Sequence, residues 1–419
     1  MRPARPNIVL ILADDMGYGD LSSYGHPSIR TPNIDRLGEE GMVFTDFHSN
    51  GPVCSPTRAA LLTGRYQQRC GIEGVITAAG HREVGLAETE TTFASPLRDA
   101  GYATAVFGKW HLGYAEEFNP TRRGFDRFRG FVSGNVDYQS HIDQVGYEDW
   151  WQADRLTPET GYTTDLVTRH GVEFINEHAA DSQPFCLYLA HECPHYPYQG
   201  PDDSAYRRPG DPGPPIGPRE DTDVAYREMI EALDAGVGEV LSALERKGVA
   251  EQTFVFFFSD NGPTGPGSSG ALRGRKGSVW EGGHRVPAMA RMPGVIAAGG
   301  QTNAVAVGMD LFPTMLELAG VESAVDRQLD GTSLLPVLTG SGGLPDRDVF
   351  WRFGGRRAVR RGRFKLVRGE EGGDWLSDLD HDLGETANVV DARGSLAQEL
   401  RIALEQWEED VSRGVHRLA

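Results

Sequence analysis

Cysteine is scarce, with four in 419 residues, which excludes a disulfide-framed scaffold. Cys54, Cys70, Cys186 and Cys193 also lack zinc-type spacing. Long hydrophobic runs are missing. The longest early run, Ile8 to Ala13, meets Asp14 and Asp15 at once. It is too short for a secretory core segment, and no run approaches the roughly 20 residues of a membrane span. The expectation is a soluble chain that makes no membrane contact, cytoplasmic as the sequence stands, and periplasmic or secreted if an export signal was trimmed. Positive charge is short as well: 41 Lys+Arg against 60 Asp+Glu gives a net charge of −19. That argues against nucleic acid as a partner, which needs a basic footprint. Internal repeats are absent. The 53 glycines and 25 prolines follow no period, so they read as turns in an ordered fold.

Short apolar runs alternate with helical patterns. Asn7–Ala13, 103–107, Phe185–Ala190 and 253–258 read as strands buried on both faces. Residues 165–178 and 224–247 read as helices, the second with Met229, Ile230, Leu233, Val237, Val240, Leu241 and Leu244 on one stripe and Gly248 at its end. Alternation of this kind implies an α/β fold with a large, mostly parallel sheet flanked by helices. Residues 207–219 and 262–270 are Pro/Gly-rich loops. A strand hairpin over 348–368 and an amphipathic helix over 397–411 suggest a small C-terminal α+β subdomain. The expected division is 1–330, catalytic, and 331–419.

The residues directly after each strand point to function. Asp14 and Asp15 end the first, Lys109 and His111 come after the second, His191 and His195 after the third, Asp260 and Asn261 after the fourth. Ligands of open α/β sheets bind beyond the carboxyl ends of the strands. Asp14, Asp15, Asp260 and Asn261 form an all-oxygen set suited to Ca²⁺ or Mg²⁺ rather than zinc. Three clustered carboxylates also need a counter-cation. In the run from Cys54 to Arg65, Ser55 suits an N-cap, Pro56 the first helical position and Gly64 the C-terminal stop. Cys54 then stands just before a helix N-terminus, with Arg58 one turn inside.

Cys54-x-Pro56-x-Arg58, followed by AALLTGR, resembles the signature of the type I sulfatases of the alkaline phosphatase superfamily. Gly101-Tyr102, Gly108-Lys109-Trp110-His111-Leu112-Gly113, Pro6-Asn7, Asp14-Asp15, Gly19-Asp20 and Thr31-Pro32-Asn33-Ile34-Asp35 are similar to that family too. So are Lys276 with Glu281-Gly282-Gly283, Lys365-Leu366, Asp378-Leu379, Glu385-Thr386 and Asn388, so the likeness spans nearly the whole chain. The resemblance implies an alkaline phosphatase-like fold and a sulfuric ester hydrolase. It implies that a formylglycine-generating enzyme converts Cys54 to formylglycine. One Ca²⁺ per chain, with Mg²⁺ less favoured, would be held by Asp14, Asp15, residue 54, Asp260 and Asn261.

The roles it implies are these. Lys109, Lys276 and Arg58 neutralise sulfate oxygens or support the nucleophile. Asp260 takes a proton from one hydroxyl of the hydrated aldehyde, which attacks sulfur. His195 or Lys276 protonates the leaving alcohol. His111 deprotonates the second hydroxyl, so that sulfate leaves and the aldehyde reforms. His195 lies in the family's His-Tyr-Pro motif, whereas His191 is a neighbour or a capping histidine. Residues 131–143 are expected at the pocket rim, with Ser133, Asn135, Asp137 and His141 as sulfate-contact candidates or loop formers. The polar and aromatic content there (Asp137, Tyr138, His141, Asp143, Trp150, Trp151) favours a sulfated saccharide over an arene. The basic run Arg352–Arg368 is either a docking patch for a polyanion or a hairpin that pairs with acids elsewhere. Two other functions remain open: a phosphodiesterase or phosphonate monoester hydrolase of the same superfamily, and a sulfate-ester binder if Cys54 stays unmodified.

Overall fold

The computed structural model describes residues 5–180, 183–322, 327–370 and 372–413. Four strands make its centre: β1 (Asn7–Ala13), β2 (Ala103–Lys109), β3 (Phe185–Ala190) and β4 (Thr253–Ser259). They run parallel in the order β4-β1-β3-β2 inside a ten-stranded sheet. Arg127–Phe131 extends the parallel block beside β2. Ala288–Arg291 pairs antiparallel with β4 and makes the sheet mixed.

The unbroken apolar runs have a structural cause. Ile8, Leu10 and Leu12 face one core, and Val9, Ile11 and Ala13 face the other. Phe254, Phe256 and Phe258 divide from Val255 and Phe257 in the same way. Period-two alternation with apolar side chains at every position demands cover on both faces. α2 (Thr163–His178) and α3 (Thr222–Arg246) cover one face. α1 (Cys54–Thr63) and Leu311–Ala319 lie over the other. Truncating one of the central phenylalanines, as in Phe256→Ala, is expected to cost about 3–5 kcal/mol. Among the described residues no helix is long and apolar enough to cross a membrane.

The expected C-terminal hairpin is larger than its sequence suggested. β5 (Asp348–Phe353), β6 (Arg356–Arg361), β7 (Phe364–Arg368) and β8 (Asp374–Asp378) form a four-stranded antiparallel sheet. Val359, Leu366 and Leu376 on one face pack against Ala397, Leu400, Leu404 and Trp407 of α4 (Gly394–Val411). Trp351, Ala358 and Val367 on the other face pack against Val279, Trp280 and Val307.

The basic run is not a free patch. Arg360 pairs with Asp46 at 2.6 Å, and Lys365 with Glu281 at 2.9 Å. Arg352 pairs with Glu73, Arg356 with Glu370, Arg357 with Glu408, Arg361 with Asp348, Arg363 with Asp378 and Arg368 with Asp374. The pairing reading therefore holds, and the docking reading loses its free charges.

Candidate active site

The ends of the four central strands converge. Asp14 and Asp15 leave β1. The Asp14 amide donates to Cys193 O at 3.0 Å, and the Asp260 amide to Ala13 O at 3.0 Å, which ties three strand ends together. Asp15 (φ 64°) and His111 (φ 57°) take left-handed conformations that non-glycine residues rarely adopt. Such geometry persists where surrounding contacts over-determine it, often at functional sites.

Cys54 opens α1 and is fully buried, so the expected cap is corrected. Val53 occupies the N-cap position, and the Ser55 hydroxyl instead accepts the Ile76 amide at 3.1 Å. Pro56 still falls in the first turn, where a missing N–H costs nothing. Gly64 ends the helix as expected, at φ 68°. The Cys54 thiol lies 3.3 Å from Asp14 Oδ1 and 3.3 Å from Lys276 Nζ. Burial, with Asp14 second, pushes its ionisation far above the ordinary thiol range. As a plain cysteine it is therefore a neutral thiol and a poor nucleophile.

Three carboxylates and three cations surround it. Lys109 pairs with Asp14, and Lys276 with Asp15. Arg58 donates to Asp260 Oδ2 at 3.0 and 3.2 Å and to Lys109 O at 2.9 Å, and lies 3.5 Å from Asp14. Burial opposes charge on Asp14, but Lys109, His195, Arg58 and Lys276 outweigh it and hold Asp14 well below the usual carboxylate range. Asp15 is lowered too: Lys276 and His195 overcome its burial. Asp260 goes the other way, to about 7, through burial and then the Asp14 carboxylate.

A divalent cation fits these residues. Oxygens of Asp14 and Asp15, the Cys54 sulfur and a His195 nitrogen lie within 4.8 Å of one another. Asn261 donates its amide to Asp15 Oδ1 at 2.7 Å, while its buried Oδ1 has no partner among the described residues. Asp260 Oδ1 accepts the Asp15 amide at 3.2 Å, so it borders the same cluster. A carboxylate whose ionisation is opposed by a neighbouring carboxylate and an orphaned amide oxygen both call for a hard cation.

The two histidines have readable tautomers. His111 Nε2 lies 2.9 Å from Ile76 O, and a carbonyl can only accept, so Nε2 carries the proton. His111 Nδ1 is then an unprotonated nitrogen, without a hydrogen-bond partner among the described residues. By the same argument His195 Nδ1 donates to Tyr196 O, which leaves Nε2 facing Asp15 Oδ2 at 3.6 Å. Burial lowers His195 to about 4 and His111 well below its ordinary value, so both are neutral at neutral pH. His191 is buried, and its backbone amide donates to Leu12 O.

Lys276 sits on a loop between Gly274 (φ 83°) and Gly277 (φ 86°). The Gly277 amide donates to Pro52 O at 2.8 Å, which ties the lysine loop to the chain just before Cys54. Sequence reasoning missed what holds this loop from behind. Glu385 Oε2 accepts the Glu281 amide at 2.7 Å, Glu385 O accepts from Arg273 at 2.7 Å, and Lys365 lies 3.3 Å from Glu385. Thr264, which donates to Asp15 Oδ2 at 3.0 Å, was missed too. Its position directly after Asn261-Gly262-Pro263 is the only sequence signal it had.

The rim candidates serve the loop. Asp137 accepts four backbone amides, from Gln139, Ser140, Tyr206 and Arg207. Ser133 donates to Asn135 O at 3.0 Å, and Asn135 Oδ1 accepts from Arg207 at 2.8 Å. His141 stacks on Trp150 with ring centres 4.4 Å apart. Tyr138 and Trp150 are buried. These side chains are held by loop packing.

Comparison with known proteins adds the lineage. Residues 6–321 match the family model described as Sulfatase, and residues 275–410 match that of the N-sulphoglucosamine sulphohydrolase C-terminal region. The N-acetylgalactosamine-6-sulfatase of Rattus norvegicus is 38% identical over 392 residues, covering 87% of this chain and 71% of that one. Arylsulfatase A of Bos taurus is 36% identical over 464 residues, with 96% and 87% covered. The solved structure of Ps i-CgsB in complex with k-i-k-neocarrahexaose superposes with a TM-score of 0.87 at 29% identity, covering 99% of this chain and 95% of that one.

Proposed function

The chain belongs to the sulfatase family and hydrolyses sulfate esters, and from that premise we propose that it acts on a sulfated saccharide through a formylglycine at position 54 and one bound Ca²⁺. One observation carries the reading. The thiol at position 54, neutral and buried, is held against Asp14 and Lys276 at the convergence of four strand ends. A thiol is a poor match for an oxygen-rich, hard-cation site, whereas an aldehyde hydrate presents two hydroxyls there.

Asp14, Asp15, Asp260 and Asn261 would hold the cation, which when bound draws electron density from the sulfate oxygens and lowers the barrier to attack. The chain's own residues do the rest. Asp260 takes a proton from one hydroxyl of residue 54, whose oxygen bonds to sulfur as the ester S–O bond breaks. Lys109, Lys276 and Arg58 offset the charge that builds on the sulfate oxygens. Of the two expected donors, Lys276 gives a proton to the departing alcohol, since the one proton of neutral His195 is held at Nδ1 by Tyr196 O. The unprotonated Nδ1 of His111 takes the proton of the second hydroxyl, the sulfate bond to residue 54 breaks, and the aldehyde returns. Neutrality of His111 at working pH suits it to that step. The N-acetylgalactosamine-6-sulfatase among the relatives favours a sulfated sugar as substrate.

The test is the intact mass of the peptide that contains residue 54. Conversion of the thiol to the aldehyde removes about 18 Da. Finding that loss, together with release of sulfate from a 6-sulfated hexosamine, supports the proposal. A Cys54 that stays a thiol after coexpression with a modifying enzyme overturns the formylglycine reading.

A further inference from the structure

Two segments anchored at the reaction centre carry a cation–aromatic pair that the sulfate chemistry does not use. The Ile76 amide donates to the Ser55 hydroxyl, and Ile76 O accepts from His111, so this segment is anchored next to the nucleophile. The next turn is closed on itself. The Thr77 amide donates to His81 Nδ1 at 3.1 Å, and the His81 amide to Thr77 O at 3.0 Å. Arg82 comes next, within about 20 Å of extended chain from Ile76, a reach the turn shortens.

A second segment meets it. A Cβ built on Gly134 would lie 2.8 Å from His111 Nε2, so this loop packs directly on the same histidine. Further along it, Asp143 is a buried carboxylate with two duties. Its Oδ1 accepts the amides of Val145 and Tyr147 at 2.9 Å each, and its Oδ2 pairs with Arg82 at 3.4 Å. The Arg82 guanidinium lies over the rings of Tyr147, at 4.6 Å, and Tyr114, at 5.1 Å. Tyr147 is nevertheless 61% exposed, the most of any large apolar side chain described, and the Arg82 side chain is 43% exposed.

A single exposed tyrosine is ordinary; what sets this one apart is that a buried acid fixes both it and the arginine stacked on it. The combination offers a flat apolar face for a pyranose ring beside a fork of N–H donors for an anion. We propose that Arg82 and Tyr147, positioned by Asp143, form a subsite for a second, anionic sugar next to the one that is desulfated. The anion is a carboxylate or a sulfate on that neighbouring sugar. This rests on the saccharide reading above, and it makes the preferred substrate an oligosaccharide rather than a monosaccharide.

The experiment compares two substrates that share the scissile group, 6-sulfated N-acetylgalactosamine and a chondroitin 6-sulfate tetrasaccharide. The full chain carrying formylglycine is used as parent, Arg82→Gln and Tyr147→Ala. Each variant is expected to raise KM for the tetrasaccharide about fivefold and to leave the monosaccharide within twofold, since one charge-assisted contact or one ring face is lost. Added salt should raise the parent's KM for the tetrasaccharide and leave Arg82→Gln nearly flat. A carboxyl-reduced tetrasaccharide assigns the anion. Loss of the Arg82 effect identifies the carboxylate, persistence identifies the sulfate, and both support the subsite. If the parent cleaves the tetrasaccharide and both variants match it, the subsite is overturned and the saccharide reading stands. A parent that cleaves an aryl sulfate but neither sugar overturns both.

Discussion

Replacing Lys365 with methionine tests how the C-terminal sheet supports the catalytic loop. The Lys365 ammonium is fully buried, 2.9 Å from Glu281 Oε1, 3.3 Å from Glu385 Oε1 and 3.1 Å from His284 Nε2. Methionine keeps the aliphatic stem as far as the ε position and removes the ammonium, so the loss is mainly electrostatic. Breaking a buried ion pair on one side costs about 3–5 kcal/mol, because the remaining charge is left uncompensated. Here Glu281 keeps Arg285 at 3.1 Å and Arg360 at 3.4 Å on its other oxygen, and Glu385 can take up a proton. The low end applies, about 3 kcal/mol, or a fall of about 3–4 °C in melting temperature for a chain of 419 residues. Glu385 also accepts from the Glu281 amide and from Arg273, which flank the Lys276 loop, so kcat should fall by up to about tenfold as the loop loses its hold. Thermal unfolding followed by circular dichroism reads the first effect, and sulfate release the second. In a double-mutant cycle, adding Glu385→Gln to Lys365→Met should cost less than Glu385→Gln alone costs the parent. An unchanged melting temperature, or strict additivity in the cycle, would refute the account of Lys365 as the buried counter-charge.

The same contacts set other outcomes. Cys54→Ser is expected to release no more than one equivalent of alcohol per chain and to gain a stable sulfuryl group in its intact mass, because a single hydroxyl cannot expel sulfate by reforming an aldehyde; sustained turnover would remove the need for the diol. Exhaustive chelation should abolish activity and lower stability by about 3 kcal/mol at saturating cation, both restored by Ca²⁺; full activity after chelation would mean that Lys109, Lys276 and Arg58 alone balance Asp14, Asp15 and Asp260. Glu385 is raised to about 7 by burial, against Lys365, and further by Glu281. Its folded form holds a proton that the unfolded form gives up near pH 4.5, so its contribution to stability is complete below that value and is lost as pH rises toward 7. Glu385→Gln should flatten that decline in a pH series of denaturant unfolding, and a parallel decline in both proteins would contradict the assignment.

The chemistry was legible in the sequence because it rests on short-range rules. A buried parallel strand must be apolar along its length, so Asn7–Ala13 and Thr253–Ser259 announce themselves, and the polar residues directly after them must lie at the sheet's carboxyl edge. Asp14, Asp15, Asp260, Asn261 and Lys109 could be placed by that argument alone, while choosing His195 over His191 needed the His-Tyr-Pro motif. Cys54, Arg58 and Lys276 were singled out by motif, and the fold brings them to the same point. Contacts remote in sequence decided the rest. Ser55 had the composition of a cap, but its hydroxyl was claimed by Ile76, 21 residues on, and local propensity yields to such a contact. Asp137 and His141 had the composition of a sugar site and were used instead to fold the loop that carries them. The eight cations of 352–368 left two readings open because their acids lie outside the run, some just beyond it, as Asp348 for Arg361 and Asp374 for Arg368, and some far away, as Asp46 for Arg360 across 314 residues. A chain of charge −19 can meet every cation in such a strand with an acid from elsewhere, so a local run of arginines predicts a polyanion partner only where those acids are out of reach. Arg82 is the contrasting case. Among the described residues it pairs with one acid, Asp143, which is shared with two backbone amides, and it lies over the exposed ring of Tyr147, which is why it is the cation expected to meet the sugar.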